Sequence, residues 1–220
     1  QSLEDPKAIW RELKRIDGFD VDLGDSADAY YNAFYNSWEE ECALLDMHVG
    51  LWNSIFEVGC GAGATYIYFP DRIKKVGGID YSRQSTEIQK IVLKEAEIAC
   101  MEADHISTDE NLMFDADSVL HISDETYVSD VLEKMYEKAH KAVLITEIFD
   151  KELEDACMQY RRAKIQNYDE KYKNLDSYLI SNPMFEMFSQ KHGCELIFTS
   201  VENPYYWNSQ FMYNVLIIKK

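Results

Sequence analysis

At 220 residues, with 46% apolar and 13% aromatic side chains, the chain is long enough to bury the core of one domain without covalent staples. Its net charge of −18 opposes phosphate backbones and anionic lipid, and no basic patch breaks the field, so neither nucleic acid nor a membrane is an expected partner. Five cysteines, Cys42, Cys60, Cys100, Cys157 and Cys194, are odd in number and never fall in a Cys-x-x-Cys pair. That spacing argues against a zinc ribbon or a disulfide framework and predicts a reducing, cytoplasmic setting. No apolar run reaches the ~20 residues of a bilayer span, and the start is not cationic-then-apolar.

The elements change character near Gly50. Before it, helical spacing marks Ile9, Leu13 and Ile16, then Tyr30, Tyr31, Phe34, Tyr35 and Trp38, with Gly18–Gly24 as the turn between and Asp25 or Ser26 as an N-cap. Residues 1–50 therefore read as a helical cap on a core spanning 51–220. Within the core, Ser54–Val58 is predicted as a first strand and Val76–Ile79 as a second. A helix over Ser85–Glu97 leads to a third strand, Ile98–Met101. Leu112–Phe114 is predicted as a fourth, then a polar bend, a helix over Tyr127–Ala139 and a fifth strand, Ala142–Glu147. Strands alternating with helices predict a doubly wound, mostly parallel sheet. The tail differs: Leu196–Val201 and Tyr213–Lys219 are separated by a loop too short for a parallel crossover, so they should pair antiparallel. The expected class is α/β, a Rossmann-like sheet of seven strands closing on an antiparallel hairpin.

The strongest chemical signal is Phe56-Glu57-Val58-Gly59-Cys60-Gly61-Ala62-Gly63-Ala64. A strand runs into alternating glycines, which permit a tight turn and close approach of backbone to a ligand. Asp80 closes the next strand about twenty residues on, where a ribose-binding acid belongs. Gly59, Gly61 and Ala64 also fit a dinucleotide loop, so a nicotinamide-dependent oxidoreductase is one alternative, and a non-catalytic cofactor-binding partner subunit is another. Against the former, a carboxylate at Glu57 would repel a pyrophosphate; it is placed instead to accept from an amine or a water.

Glu57-Val-Gly-Cys-Gly-Ala-Gly63 resembles the first motif of class I S-adenosylmethionine-dependent methyltransferases, and Gly78-Ile-Asp-Tyr-Ser82 resembles their second. Glu102-Ala-Asp104 is similar to their third-strand motif, and Val119-Leu-His-Ile122 to the segment after the fourth strand. The resemblance implies that Gly59, Gly61 and Gly63 pass under the methionine part of S-adenosylmethionine. It places Asp80, with Tyr81 beside it, at the ribose, and Asp104 and His105 at the adenine. Trp38, on a helix that lids the cofactor in this family, joins the candidate contacts. A narrower resemblance, to methylases encoded with surface-polysaccharide and nonulosonic-acid genes, rests on Leu120-His-Ile-Ser-Asp-Glu, Leu144-Ile-Thr-Glu-Ile-Phe149, Tyr160-Arg161 and Phe211-Met-Tyr-Asn-Val-Leu-Ile218. It implies a sugar or nucleotide-sugar acceptor.

His121, beyond the fourth strand, is the candidate base for a hydroxyl or amine acceptor; a local cap is the competing role. Asp115 and Asp117 fit a solvated bend. Tyr160, Arg161, Arg162 and Lys164 form a cationic knot in which Tyr160 and Arg161 are candidate contacts for an anionic group of a small-molecule acceptor. The alternative is a helix surface neutralised by Glu152, Glu154 and Asp155. Asn203-Pro204-Tyr205-Tyr206 is similar to a motif of DNA amino-methyltransferases but lacks its second proline and its position, and reads as a turn with aromatic anchors. The five histidines are dispersed and no metal site is expected.

Overall fold

The computed structural model describes residues 27–61, 73–109, 116–121, 128–173, 179–204, 206 and 208–220, with backbone alone for 27–35, 92, 116–121 and 128. In chain order the elements are α1 (Ala27–His48), β1 (Ser54–Val58), β2 (Lys75–Asp80), α2 (Arg83–Val92), β3 (Glu97–Cys100) and β4 (Ala116–His121). There follow α3 (Val128–Lys138), β5 (Ala139–Asp150), α4 (Glu154–Lys164), α5 (Tyr168–Lys171), β6 (Leu179–Ile180), α6 (Asn182–His192), β7 (Glu195–Ser200) and β8 (Met212–Ile218). The first expected helix, the Gly18–Gly24 turn and the N-cap at Asp25 or Ser26 lie outside the described residues.

The strands form one sheet in the order β3-β2-β1-β4-β5-β8-β7. β1 to β5 pair in parallel, and β8 runs antiparallel to both β5 and β7. An eighth strand, unexpected from the sequence, is the two-residue β6, which pairs in parallel with Phe149 and Asp150 at the far end of β5. Chain order reverses between β1 and β4, and the carboxyl ends of those strands open the crevice in which α/β sheets bind ligands.

Alternation along the strands sends side chains to two cores. Phe56, Val58, Val143 and Ile145 face one, with Met135 of α3 and Phe185 of α6. Ile55, Ala142 and Leu144 face the other, with Leu45 of α1 and Trp52. The sheet is thus covered on both faces, as parallel strands require.

The fourth strand needs correction. It is Ala116–His121, with Asp117 inside it, rather than Leu112–Phe114 followed by a bend; residues 112–114 lie outside the described residues. The apolar triplet outranks Asp117-Ser118 on local propensity. Ser118 instead pairs with Ile55 of β1 and Ala142 of β5, with Asp117 at an irregularity in the β4–β5 pairing, and tertiary pairing overrides propensity there. His121 is consequently the last residue of a strand and does not follow one.

Candidate active site

The turn after β1 is built on two left-handed glycines, Gly59 at φ 78° and Gly61 at φ 53°, a conformation that costs other residues about 1 kcal/mol or more. Gly59 and Cys60 both donate their N–H groups to the Ile79 carbonyl, at 2.8 and 2.9 Å. The turn is therefore tied to the end of β2. Asp80 completes the tie: one carboxylate oxygen accepts from the Gly61 N–H at 2.9 Å and the other from the Ser82 N–H at 2.7 Å. Ser82 in turn caps α2 through the Ser85 N–H. Among the described residues, nothing lies within 4 Å of where a side chain at Gly61 would begin. Behind the turn, Cys60 donates its thiol to Gln89 at 3.1 Å, and burial, aided by Glu57 and Asp80, pushes that thiol far above its ordinary value. Gly63 lies outside the described residues.

The other residues expected around the ribose and the adenine line the neighbouring strand ends. Tyr81 is 76% exposed directly after buried Asp80. Asp104 and His105 occupy a single 3-10 turn after β3, 3.7 Å apart and both open to solvent. The turn is anchored from behind by the Lys134 ammonium, which donates to the Asp104 carbonyl.

A second group of residues closes the crevice from the α1 side, and sequence reasoning missed most of it. Trp38, Glu41 and Leu45 recur at helical spacing and are all buried, so α1 presents a carboxylate in the middle of its core-facing stripe. Glu41 meets Thr146 of β5, and its carboxyl is pushed well above the usual range by burial first and then by Glu57 and Glu147. On β5, Ile145 pairs with Val215 and Ile148 with Tyr213, which leaves Thr146 and Glu147 together opposite Asn214. That bulge puts Glu147 at φ 55°, a strained conformation for glutamate. The Asn214 side chain replaces the lost ladder bond by accepting the Glu147 N–H at 3.0 Å, and its amide donates to Glu40 at 3.0 Å. Ser37 donates to the Glu147 carboxyl at 3.0 Å and accepts from Asn203 at 3.0 Å. Burial, only partly offset by the Ser37 bond, raises the Glu147 pKa, and Glu40 adds to the rise. The signal for Glu41 was present in the helical spacing; the signal for Glu147 was not, because a bulge has no period.

Arg161 lies on the far side of this group and is 7% exposed, unlike the exposed helix surface that its acidic neighbours suggested. Its guanidinium stacks 4.3 Å over the Phe149 ring and donates to the Tyr168 hydroxyl at 3.1 Å. Tyr160 packs against Phe211 at 5.4 Å between ring centres. Arg162 instead points outward to Asp169. Asn203, the head of the Asn-Pro-Tyr-Tyr turn, is 2% exposed and holds the turn to α1 through Ser37. His121 ends β4 between Val58 of β1 and Ile145 of β5, which places its backbone at the mouth of the crevice. Trp38 is 3% exposed.

The architecture is that of methyltransferases already solved. The magnesium protoporphyrin IX methyltransferase ChlM from Synechocystis PCC 6803, with bound S-adenosylmethionine (SAM), superposes with a TM-score of 0.60 at 12% identity over 100% of both chains. The plantazolicin methyltransferase BpumL, in complex with a triazolic desmethylPZN analog and S-adenosylhomocysteine (SAH), gives 0.64 at 13% identity over 100% of this chain and 93% of its own. The methyltransferase domain of bacterial-CtHen1-CN gives 0.57 at 12%, covering 84% of this chain and 99% of that domain. No family model matches the sequence, and no curated protein matches it either. At these identities the likeness is one of fold: the chain has the α/β fold of these methyltransferases. Among the described residues no helix is long and apolar enough to cross a membrane.

Proposed function

We propose that the chain is a SAM-dependent methyltransferase acting on a small-molecule acceptor. The observation that carries the reading is the Asp80 carboxylate at the carboxyl end of β2, fixed by the Gly61 and Ser82 N–H groups beside the glycine turn. Each of its oxygens uses one lone pair on the backbone and retains capacity for a ribose hydroxyl. No described residue fills the position of a side chain at Gly61. The residues present therefore fit SAM, with Gly59, Gly61 and Gly63 under the methionine part, Asp80 and Tyr81 at the ribose, and Asp104 and His105 at the adenine. Glu57 and Trp38 complete the proposed set.

Bound SAM supplies an electrophilic methyl group. What the chain itself contributes is position: an acceptor held at near-attack distance in a crevice that α1 shields from water. His121, at the strand end, is the proposed base where the acceptor is a hydroxyl. Arg161 and Tyr160 are the proposed acceptor contacts. A sugar or nucleotide-sugar acceptor rests on the short matches at 120–125, 144–149, 160–161 and 211–218. The solved neighbours are named for magnesium protoporphyrin IX and for plantazolicin, so the fold by itself does not select an acceptor.

The test is production of SAH from SAM across a panel of sugar, nucleotide-sugar and amine acceptors. Asp80→Ala should lower cofactor affinity about tenfold or more, since it removes charge-assisted bonds to the ribose. It should also lower the melting temperature, because it frees two backbone donors; Asp80→Asn should retain more of both. Acceptor-independent silence of the wild type would count against catalysis.

A further inference from the structure

We propose that the crevice beside Glu147 receives a protonated nitrogen carried by the acceptor, with Glu147 as its counter-charge and Asn208 as a second hydrogen-bond acceptor. The inference rests on the methyltransferase reading and names the chemistry of the acceptor.

Charge balance is the first argument. From α1, Ser37, Glu40 and Glu41 face this point; Glu57 of β1 reaches it through Glu41; Thr146 belongs to β5 itself; and Tyr206 approaches from the loop before β8. Among the described residues, every charged group acting on Glu41 and Glu147 is another glutamate. Arg161 acts on Tyr206, and its guanidinium is engaged with Tyr168 and Phe149. Buried carboxylates are normally paired with a cation or coordinate a metal. Here neither partner is supplied by the chain among these residues, and burial favours the protonated form of both acids.

A buried amide beside the acids makes a similar demand. Asn208 is 7% exposed, and its side chain hydrogen-bonds Tyr206. Its Oδ1 is buried and accepts from nothing among the described residues. The amide nitrogen is therefore the atom that meets Tyr206, and the carbonyl is left over. Tyr206 is held within electrostatic reach of Glu147, which helps to push its hydroxyl up to about 12, burial being the larger cause. An orphaned buried acceptor is rare and costly, and it wants the same thing as the carboxylates, an N–H donor. A protonated amine supplies up to three donors and one charge. A hydroxyl supplies one donor and no charge. Strain at Glu147 aims this side chain away from the regular alternation of β5, toward α1 and the loop.

The experiment uses matched pairs on one skeleton: glucosamine with glucose, and benzylamine with benzyl alcohol. Binding to the intact chain is measured by ligand-observed NMR at physiological salt, with saturating SAH and again without it. At pH 8 at least one amine should bind about tenfold or more tightly than its alcohol. Lowering the pH toward 5, which favours the protonated form of Glu147, should shrink that ratio. Glu147→Gln, which keeps the shape and the Ser37 bond, should bring the ratio close to one while SAH affinity stays as in the wild type. Asn208→Ala should weaken the amine by a smaller factor. A ratio near one in the wild type overturns the proposal, as does a preference that survives Glu147→Gln. Loss of SAH binding by the wild type would instead strike at the methyltransferase reading, and the pairs measured without SAH would still decide this one.

Discussion

Two glutamate sites in this molecule, on opposite faces of the sheet, solve the same problem differently. Glu133 on α3 sits against α6, where Lys191 and His192 both reach its carboxyl, the latter at 2.9 Å. Burial pushes its pKa up, but the two hydrogen bonds outweigh it and leave the group below its ordinary value. Glu41 and Glu147 sit between α1 and β5 with neutral donors and other acids for company, and both are raised. The first pattern fastens two helices together. The second costs stability, and residues that cost stability in a ligand crevice are the ones an active site uses.

The largest effect should come from removing the costly group altogether. Glu41→Leu would extend the apolar stripe of Trp38 and Leu45 and remove a buried carboxyl whose ionisation burial opposes, so the fold should gain about 1 kcal/mol, the scale on which imperfectly paired buried polar groups act. The melting temperature at pH 8 should rise by roughly 2–4 °C for each kcal/mol gained. A fall would mean that Glu41 is already paired by something structural, and the contrast with Glu133 would break.

A smaller effect concerns pH. A carboxyl whose folded pKa is raised makes the unfolded state the weaker proton binder, so stability is fully present below the ordinary carboxylate value and is lost as pH rises through the folded one. The wild type should therefore melt lower at pH 8 than at pH 5.5, and Glu147→Gln should flatten that slope. The two acids interact, so the transition belongs to the pair.

The smallest effect is at Glu133. Its folded pKa is depressed, so its contribution is present above the ordinary carboxylate value and disappears as pH falls through the folded one. Side-chain exposure of 30% keeps the pair within the ~0–1 kcal/mol of surface ion pairs. Glu133→Gln should lower the melting temperature at pH 7 by a few degrees at most, and less at 1 M salt. Opposite signs for Glu147→Gln and Glu133→Gln in one buffer would sharpen the comparison.

What the sequence made legible was whatever has a local period or a local turn. Helical spacing announced α1, alternation with helices announced the parallel strands, and the short tail loop announced the antiparallel pairing of β7 and β8. The Gly59-x-Gly61 turn and Asp80 were legible because tight turns and strand-end acids depend on adjacent residues. The Glu147 site was not, because it joins positions 37, 41, 147, 203, 208 and 214 through a bulge and a loop, and no spacing relates them. β4 was misplaced for a related reason: Asp117-Ser118 looks like a bend until β1 and β5 close on either side of Ser118. Arg161 was noticed for its charge, yet its burial follows from Phe149 and Tyr168, which only the tertiary fold brings to it.

One titration bears most directly on the methyltransferase reading: isothermal calorimetry of the wild-type chain with SAH, with NAD as the control. Saturable binding of SAH with one site per chain, lost or weakened about tenfold or more in Asp80→Ala, and no heat with NAD, is the expected result. Binding of NAD with none of SAH would contradict it and return the glycine turn to the nicotinamide enzymes.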